Sequence, residues 1–405
     1  MLAVTGSIAA YKAIEILRGL RNEQKSVKVI LTKGAEQFIN KLSFESLGAH
    51  EVLTDEDQFS VDKDGISIHL SLSRWADCII IVPASADIIA KIRAGIADSL
   101  LLTVVLASKK PLFIAPCMNE NMLLNKITAD NIEHLKNNRV MFIEADEGQL
   151  ADFKIGKGRL QEPNKIVSLI TDYLNYNDKF FAGKKILITG GSTREYIDPV
   201  RFITNNSSGK MGISIARVAK AMGAYTNLIS GEILTNLPIL DKYQKVETTE
   251  EMLKATKEAF KASDILIMAA APVDFKPETI STTKIPKKKE ITLKLLETPD
   301  ILKEISKEKG NKIIVGFALQ TENLENKALK KMKEKNMDIV VANREVNIGK
   351  DEGSVIMFDK FGKKKIIENA KKQVLAEGIL QFLKEFIEGC FFINQFLQTR
   401  FVKPC

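Results

Sequence analysis

The feature that most restricts the fold is a series of short apolar runs that end in small or hydroxyl-bearing residues. In the first half these runs are "VKVILT", "DCIIIVPA" and "KPLFIAP". The segment "AAYKAIEILRGL" places Ala10, Ile14 and Leu17, with Ala13 and Leu20, at the spacing of one apolar helix face. Continuous apolar runs indicate strands buried on both faces, and their alternation with helices favours a parallel sheet. The sequence therefore predicts a doubly wound α/β fold.

The second half repeats this pattern with the runs "ILITGG", "YTNLISG", "DILIMAAA", "KIIVGFA" and "DIVVAN". Between the halves lies the polar segment "NYNDKFFAGKK". We therefore predict two doubly wound domains, 1–175 and 182–390, followed by a tail of unknown role at 391–405. Because ligands of open parallel sheets bind beyond the carboxyl ends of the strands, the small-residue endings mark the candidate sites.

Composition excludes several classes of protein. The chain has 405 residues and 45% hydrophobic content, which suits two or three globular domains. Its four cysteines form no Cys-x-x-Cys pair, so we expect neither a zinc site nor a disulfide framework. We expect no leader before the first strand-like residues, and no apolar run has the length of a membrane span. We expect a cytoplasmic protein without a membrane partner.

The net charge of +8 raises the question of nucleic acid binding. The lysines alternate with acidic residues, as in "KALKKMKEKNMD", and do not form a stripe with aromatic residues. The charge is thus typical of solvated faces or of small anionic substrates. We expect no nucleic acid partner.

A phosphate-bearing cofactor is expected at the strand ends of the first half. Gly6 and Ser7 lie between a strand and a helix that begins near Ile8, where free backbone amides and the helix dipole favour an anion. Thr32 and Ser85 provide hydroxyl groups after two further strands. Several polar strand ends at one edge favour a bound cofactor.

Two further side chains in this half have a functional and a structural interpretation. His69 lies on the polar side of an apolar alternation from Ile66 to Leu72, so it is either a proton carrier or a structural histidine. Asn119 follows a buried strand, where it either belongs to a site or caps the next helix.

In the second half the segment "ITNNSSGKMG" at 203–212 suggests a phosphate cradle, because small residues permit close backbone approach. It is not a P-loop, since Thr204 stands at the first glycine position and Met211 follows Lys210.

The longer motifs resemble known families. The segments "GSIAAYK", "HLSLSRWAD", "PASADIIAKIRAGIAD", "APCMNENM" and "GQLADFKIGKGRL" resemble flavin-dependent phosphopantothenoylcysteine decarboxylases. The segment "TGGSTREYIDPVRFITNNSSGKMG" resembles phosphopantothenate–cysteine ligase. The order of the two halves, over residues 1 to about 385, is that of the bifunctional bacterial coenzyme A biosynthesis family.

For the first half the resemblance implies a flavodoxin-like flavoprotein domain that binds FMN and decarboxylates 4'-phosphopantothenoylcysteine to 4'-phosphopantetheine. In the family's mechanism the thiol-bearing carbon is oxidised to a thioaldehyde, which holds the electrons when CO2 leaves. His69 would act in acid–base steps, and Asn119 would orient the carboxylate or the flavin. The implied FMN-binding residues are Gly6, Ser7, Ile8, Thr32, Ala35, Ser85, Asp87 and Met118.

Two positions depart from the decarboxylase pattern. The usual Leu-Ala-Cys-Gly flap reads Leu150, Ala151, Asp152 and Phe153, so the proton-donating cysteine is replaced by Asp152. A buried carboxylic acid with a raised pKa can donate a proton, whereas a solvent-facing aspartate has only a loop role. Asp87 replaces the usual Asn after "PASA". One alternative function is therefore an active ligase joined to an impaired or regulatory flavoprotein half.

For the second half the resemblance implies a Rossmann-like ligase domain that joins 4'-phosphopantothenate to cysteine. CTP activates the carboxylate as an acyl-cytidylate and releases pyrophosphate. Asn205 and Lys284 take catalytic positions, and Asp274 is a candidate ligand for Mg²⁺. The implied CTP-binding residues are Met268, Ala269, Ala270, Asp274, Lys284, Pro299, Asp300, Ile301, Phe317, Lys331 and Lys335. The family also implies a homo-oligomer, with trimeric flavoprotein halves and dimeric ligase halves.

The ligase motifs contain two departures. The usual Lys-Ile-Lys-Lys reads Lys284, Ile285, Pro286 and Lys287, and the usual Ala-Asn-Asp ends in Arg344. Taken singly, each lysine is also compatible with a solvated surface charge.

Two other classes remain as alternatives. A short-chain dehydrogenase is suggested by "ILITGGS", but Ser192 stands where its second glycine belongs, and no tyrosine has a lysine four residues later. A flavin-binding regulatory protein with a decayed decarboxylase half is compatible with Asp152 in the flap.

Overall fold

A computed structural model describes residues 1–138, 140–176, 179–287, 290–320, 324–344 and 351–401. The chain divides into two compact units, Met1–Asn175 and Tyr176–Cys405. Arg344, which departs from the ligase motif, is the last residue of a strand. Residues 402–405 of the predicted tail lie outside the described ranges.

The first unit contains a parallel sheet with helices on both faces. Its strands are β1 Leu2–Val4, β2 Lys28–Leu31, β3 Glu51–Thr54, β4 Ile79–Ala84, β5 Leu112–Pro116 and β6 Met141–Phe142. Its α-helices are α1 Lys12–Asn22, α2 Lys33–Glu36, α3 Lys41–Glu45, α4 Ile68–Trp75, α5 Ala86–Ala94, α6 Leu100–Ala107, α7 Glu120–Leu124, α8 Lys126–Asn137 and α9 Pro163–Asn175. Two 3₁₀ helices, Ile8–Tyr11 and Asp55–Phe59, and an antiparallel pair, β7 Asp146–Gln149 and β8 Ile155–Arg159, complete the unit.

The strand order of the first sheet is β3-β2-β1-β4-β5-β6, and all its pairs are parallel. This 3-2-1-4-5-6 order is that of dinucleotide-binding Rossmann sheets, whereas flavodoxin sheets have the order 2-1-3-4-5. The predicted doubly wound α/β class is confirmed. The strand order itself could not be predicted from the sequence pattern. The order reverses between β1 and β4, so this sheet edge is the expected ligand crevice.

Helix α1 buries a slightly different face from the one its spacing predicts. Ala13, Ile16, Leu17 and Leu20 are buried, whereas Ile14 is only half-buried. The buried set follows the i, i+3, i+4, i+7 pattern, so the face is apolar as predicted but rotated toward Ile16.

The apolar alternation around His69 is not an extended segment. Ile68–Trp75 forms helix α4, in which Ile68 and Leu72, four residues apart, are buried, whereas Leu70 is 36% exposed. The apolar alternation from Ile66 to Leu72 is therefore coincidental, and the four-residue spacing of the buried side chains is that of a helix.

The second unit contains a larger mixed sheet. Its strands are β9 Lys185–Gly190, β10 Arg194–Tyr196, β11 Phe202–Thr204, β12 Tyr225–Ser230, β13 Lys242–Lys245, β14 Ile265–Met268, β15 Phe275–Pro277, β16 Leu295–Glu297, β17 Ile313–Gln320, β18 Ile339–Arg344, β19 Glu352–Asp359 and β20 Lys364–Lys371. Its helices are α10 Lys210–Ala221, α11 Thr249–Lys261, α12 Ile301–Ser306, α13 Leu324–Glu334 and α14 Lys372–Phe401.

The sheet order is β13-β12-β9-β14-β17-β18-β19-β20. The first six strands are parallel, and β19 and β20 extend the sheet as antiparallel strands. Two small antiparallel pairs, β10–β11 and β15–β16, lie outside this sheet. All five runs predicted as strands in this half are strands in the structure.

Helix α14 closes one face of the second unit. It packs against α10, and its residues Leu375, Ile379 and Leu383 are fully buried or nearly so. The boundary predicted at residue 390 falls inside this helix, which continues to Phe401. Among the described residues, no helix is both long and apolar enough to cross a membrane.

Candidate functional sites

In the first unit, the ends of β1 and β4 are joined by a buried threonine. Thr5 Oγ1 donates to the Pro83 carbonyl oxygen at 2.8 Å and accepts from the Ser85 amide at 3.0 Å. The turn at Gly6 and Ser7 and the N-terminus of α5 therefore lie side by side. Ser85 caps α5 by accepting from the Ile88 amide at 3.3 Å.

The end of β2 joins the same edge. Thr32 Oγ1 donates to the Val4 carbonyl oxygen and caps α2 by accepting from the Ala35 amide, both at 3.3 Å. A Cβ atom on Gly6 would lie 3.1 Å from Gly34 Cα, so the two loops touch through glycine backbone. Three strand ends thus bring backbone amides and hydroxyl groups to one edge of the sheet.

Asn119 and Asp152 are in direct contact. Asn119 caps α7 by accepting from the Asn121 amide at 2.9 Å, which is the structural role that its position after a strand predicts. Its Nδ2 also donates to Asp152 Oδ2 at 3.3 Å. The β7–β8 hairpin that carries Asp152 is held against this loop by the Met118 amide, which donates to the Gly158 carbonyl oxygen at 3.2 Å.

The side chain of Asp152 is exposed at the tip of the hairpin, beside Phe153, which is 83% exposed and has φ +64°. The carboxyl group is therefore exposed to solvent, which is the arrangement expected of a loop aspartate. Its hydrogen bond to Asn119 nevertheless attaches it to the end of β5.

Two predicted residues of the first unit lie apart from these contacts. His69 is half-buried on α4, and within the described residues it makes no hydrogen bond to any of the other candidates. The side chain of Asp87 is 70% exposed and pairs with Lys91 at 3.5 Å. The hydrogen bond that Lys91 donates to Asp98, with Asp87 nearby, raises the pKa of Lys91.

In the second unit, a cavity of about 670 Å³ lies at the carboxyl ends of β14 and β17. All the predicted nucleotide-binding residues except Lys284 line it, together with Asn205. Its walls come from the loops after β11, β14 and β16 and from helices α10, α12 and α13. The cavity therefore occupies the position at which open parallel sheets bind ligands.

One wall of the cavity is cationic. Lys335 Nζ pairs with Asp300 Oδ2 at 2.6 Å, and Lys331 Nζ donates to the Phe317 carbonyl oxygen at 3.2 Å. Burial lowers the pKa of Lys331 and nearby Lys335 lowers it further, while Asp300 and Asp274 act in the opposite direction. Burial tends to raise the pKa of Asp300, but hydrogen bonds from Lys335 and the Lys303 amide hold it below its ordinary value.

Asn205 and Asp274 lie on facing loops of the same cavity. Asn205 Nδ2 donates to the Pro272 carbonyl oxygen at 2.9 Å and to that of Ala271 at 3.4 Å, which ties its loop to the end of β14. Within the described ranges, no three His, Cys, Asp or Glu side chains lie close enough to hold a metal ion. A metal at Asp274 would therefore take most of its ligands from a bound phosphate or water.

The cavity lining also contains residues that were not among the predicted site residues, including the polar side chains of Lys210, Asn343 and Lys372. Lys210 Nζ pairs with Asp351 Oδ1 at 2.5 Å, and burial, with Lys210 nearby, lowers the pKa of Lys372. Lys210 lies in the polar segment "ITNNSSGKMG" and Asn343 ends the apolar run "DIVVAN", so the sequence pattern could have indicated both residues. Lys372 stands within a lysine-rich stretch and carried no such signal.

Lys284 is the predicted residue that the cavity excludes. It is exposed on the segment between β15 and β16 and does not line the cavity of its own chain. The neighbouring Ile285 is fixed through its backbone: its amide donates to Asp198 Oδ2 at 3.1 Å, and its carbonyl oxygen accepts from Arg201 Nη2 at 2.6 Å.

Comparison with known proteins relates both units to one family. Residues 1–175 match the Flavoprotein family, and residues 181–387 match the DNA/pantothenate metabolism flavoprotein C-terminal domain. The coenzyme A biosynthesis bifunctional protein CoaBC of Bacillus subtilis is 40% identical over 388 residues, which are 94% of this chain and 95% of that protein. The CoaBC protein of Escherichia coli is 36% identical over 85% of each chain. A crystal structure of the C-terminal domain of CoaBC, 37% identical, covers 52% of this chain and 100% of that one, with a TM-score of 0.46.

The matches to these relatives cover 85–94% of the chain and so extend through both units. The predicted function in coenzyme A biosynthesis is thereby confirmed, and neither the dehydrogenase nor the regulatory alternative is better supported. The chain belongs to the CoaBC family of bifunctional coenzyme A biosynthesis enzymes, and it joins a flavoprotein decarboxylase to a ligase in one polypeptide.

Proposed function

We propose that the flavin of the first unit is FMN and that it is held at the ends of β1, β2, β4 and β5. The amides after Gly6 and the hydroxyl groups of Ser7, Thr32 and Ser85 suit a phosphate and a ribityl chain. The contact between the Gly6 and Gly34 backbones brings the ends of β1 and β2 together at this edge, so that their polar groups can reach one ligand. Ile8, Ala35, Asp87 and Met118 complete the proposed FMN site.

When bound, FMN supplies the hydride acceptor and donor that the decarboxylation of 4'-phosphopantothenoylcysteine requires. Asn119 would orient the substrate carboxylate through the amide that also contacts Asp152. Asp152 would deliver the proton that completes 4'-phosphopantetheine, in place of the family's flap cysteine. His69 would exchange a proton with the substrate during the oxidation step.

We propose that the cavity of the second unit binds CTP, 4'-phosphopantothenate and cysteine. The substrate carboxylate attacks the α-phosphorus of CTP, forming an acyl-cytidylate and releasing pyrophosphate. The cysteine amine then attacks the acyl carbon, forming the amide of 4'-phosphopantothenoylcysteine and releasing CMP. Asn205 would position the reacting carboxyl group, and Asp274 would hold Mg²⁺ through a coordination shell completed by phosphate oxygens.

One observation carries the nucleotide assignment: the cationic wall of the cavity. Two lysines one helical turn apart, Lys331 and Lys335, line the same space as the apolar residues Met268, Ala269 and Phe317. A base or ribose suits the apolar part, and a triphosphate suits the lysines. Lys284 would add a third cation.

The test uses the full chain reconstituted with FMN. We expect pyrophosphate release that requires CTP, 4'-phosphopantothenate, cysteine and Mg²⁺ together, and a yellow protein with the absorbance of bound flavin. Release that proceeds equally without CTP would refute the nucleotide assignment. A colourless protein after reconstitution would refute the flavin assignment.

The lowered pKa of Lys331 predicts a pH dependence of CTP binding. As the pH rises through this pKa, Lys331 loses its proton and the triphosphate loses one countercharge, so the KM for CTP should increase below the pH at which an ordinary lysine titrates. The Lys331→Arg variant keeps its charge throughout, so its KM should stay flatter. The measurement is the KM for CTP from neutral pH to about pH 10. Parallel profiles for the two proteins would contradict the prediction.

We also propose a cytoplasmic homo-oligomer, with trimeric flavoprotein halves and dimeric ligase halves. Exposed apolar side chains support association of the second unit. Phe275, Leu295 and Leu296 on the β15–β16 pair are each more than 40% exposed. Sedimentation analysis of the full chain tests the assembly.

A further inference from the structure

The hairpin β10–β11 turns at a carboxylate that is completely buried. Asp198 is 0% exposed, and its Oδ1 accepts from the Val200 and Arg201 amides at 2.9 Å. Its Oδ2 accepts from Arg201 Nε at 2.9 Å and Nη2 at 2.5 Å. The hydrogen bonds from Arg201 hold the pKa of Asp198 below its ordinary value. A buried charge with this many donors fixes the conformation of the hairpin tip.

The same two side chains hold the segment that carries Lys284. Asp198 Oδ2 accepts from the Ile285 amide, and Arg201 Nη2 donates to the Ile285 carbonyl oxygen. A third bond joins the Ser281 amide to the Ile197 carbonyl oxygen at 3.0 Å. The Asp198–Arg201 ion pair thus binds both the amide and the carbonyl oxygen of Ile285, the residue after Lys284.

The opposite end of the hairpin leads into the cavity. Strand β11 ends at Thr204, whose Oγ1 donates to the Thr193 carbonyl oxygen at 2.7 Å, and Asn205 follows directly. At the rise of a β-strand, Arg201 and Asn205 are about 13 Å apart along this strand. The hairpin therefore connects the segment of Lys284 with the loop of Asn205.

We propose that Asp198 and Arg201 are positioning residues of the ligase reaction, which set the place of Lys284 through the backbone of Ile285. The proposal rests on the proposed role of Lys284 in offsetting phosphate charge. Asp198 and Arg201 themselves do not line the cavity, so they act through the segment that they hold. Displacement of a charged group by about 1 Å is enough to cost about a hundredfold in rate.

The experiment is a double-mutant cycle on pyrophosphate release by the full chain, with Arg201→Lys, Lys284→Ala and the combined variant. A lysine at 201 retains a charge for Asp198 but lacks the planar fork that also reaches Ile285. We expect Arg201→Lys to lower kcat by about tenfold or more, and the combined variant to be no slower than the slower single variant. Trypsin should also cut after Lys284 faster in Arg201→Lys than in the unmodified chain.

Asp241→Asn is the matched control. Like Asp198, Asp241 pairs with a basic side chain, that of Lys220, at 2.6 Å and accepts from a backbone amide, that of Thr226, at 2.8 Å, but it makes no hydrogen bond to 281–285. Its replacement should leave both kcat and cleavage after Lys284 unchanged. The proposal is wrong if the two single effects multiply, or if Arg201→Lys changes neither rate. A chain that releases no pyrophosphate before any substitution would instead refute the proposed function.

Discussion

Replacing Lys284 with alanine is expected to slow CTP-dependent pyrophosphate release by about ten- to a hundredfold, because the variant loses a charge-assisted contact in the transition state. Flavin binding should be unchanged, since Lys284 belongs to the second unit and the flavin site to the first. The measurement compares kcat, KM for CTP and bound-flavin absorbance in the two proteins.

The control for this variant is Lys294→Ala. Lys294 lies on the same connection between β15 and β16 and forms an exposed ion pair with Glu278 at 2.7 Å, which contributes little to stability. Its loss should leave pyrophosphate release within about twofold of the unmodified rate. Equal rates in Lys284→Ala and Lys294→Ala would show that Lys284 is an ordinary surface lysine.

The Asp152→Asn variant is expected to release CO2 but to form 4'-phosphopantetheine about a hundredfold or more slowly, since an amide cannot deliver the final proton. An oxidised, decarboxylated product should accumulate. Asp152→Cys should restore or raise turnover, because it reproduces the thiol that the family carries in its flap. Product analysis by mass spectrometry, together with CO2 release, separates the two half-reactions.

Asp146→Asn serves as the control on the same hairpin. Asp146 Oδ1 accepts from the adjacent Glu147 amide and makes no hydrogen bond to Asn119. Its replacement should therefore leave CO2 release and 4'-phosphopantetheine formation at equal rates. If Asp152→Asn forms 4'-phosphopantetheine as fast as the unmodified protein, Asp152 has only a loop role. That outcome would agree with its exposed position in this unit.

The central strands were predictable because their residues must meet one main requirement, burial on both faces of the sheet. Ile188, Leu266 and Val340 lie in central strands covered on both faces, so their runs are continuously apolar and contain the signal locally. Strands β19 and β20 were not predicted. Strand β20 alternates half-buried and exposed residues and is rich in lysine, so its pairing with β19 depends on tertiary contacts more than on its own composition.

The cavity was predictable to the extent that its residues stand in long motifs. Phe317 and Lys331 are 14 residues apart in sequence, yet Lys331 Nζ bonds to the Phe317 carbonyl oxygen, a contact that only the fold creates. Lys372 enters the cavity from the start of α14 and has no motif around it. Conversely, Lys284 lies in a motif but outside the cavity, because residue type and spacing do not record where a long connection runs.

The residues that line the cavity also determine when it can form during synthesis of the chain. The first unit is complete when Asn175 has been added, whereas the cavity draws on residues from Asn205 to Lys372. Because domains fold as units while the chain emerges, a nascent chain can gain the fold of its first unit while the cavity of the second still lacks Lys372. A ribosome that stalls before Lys372 would therefore carry the complete sequence of the first unit and an incomplete set of cavity residues in the second.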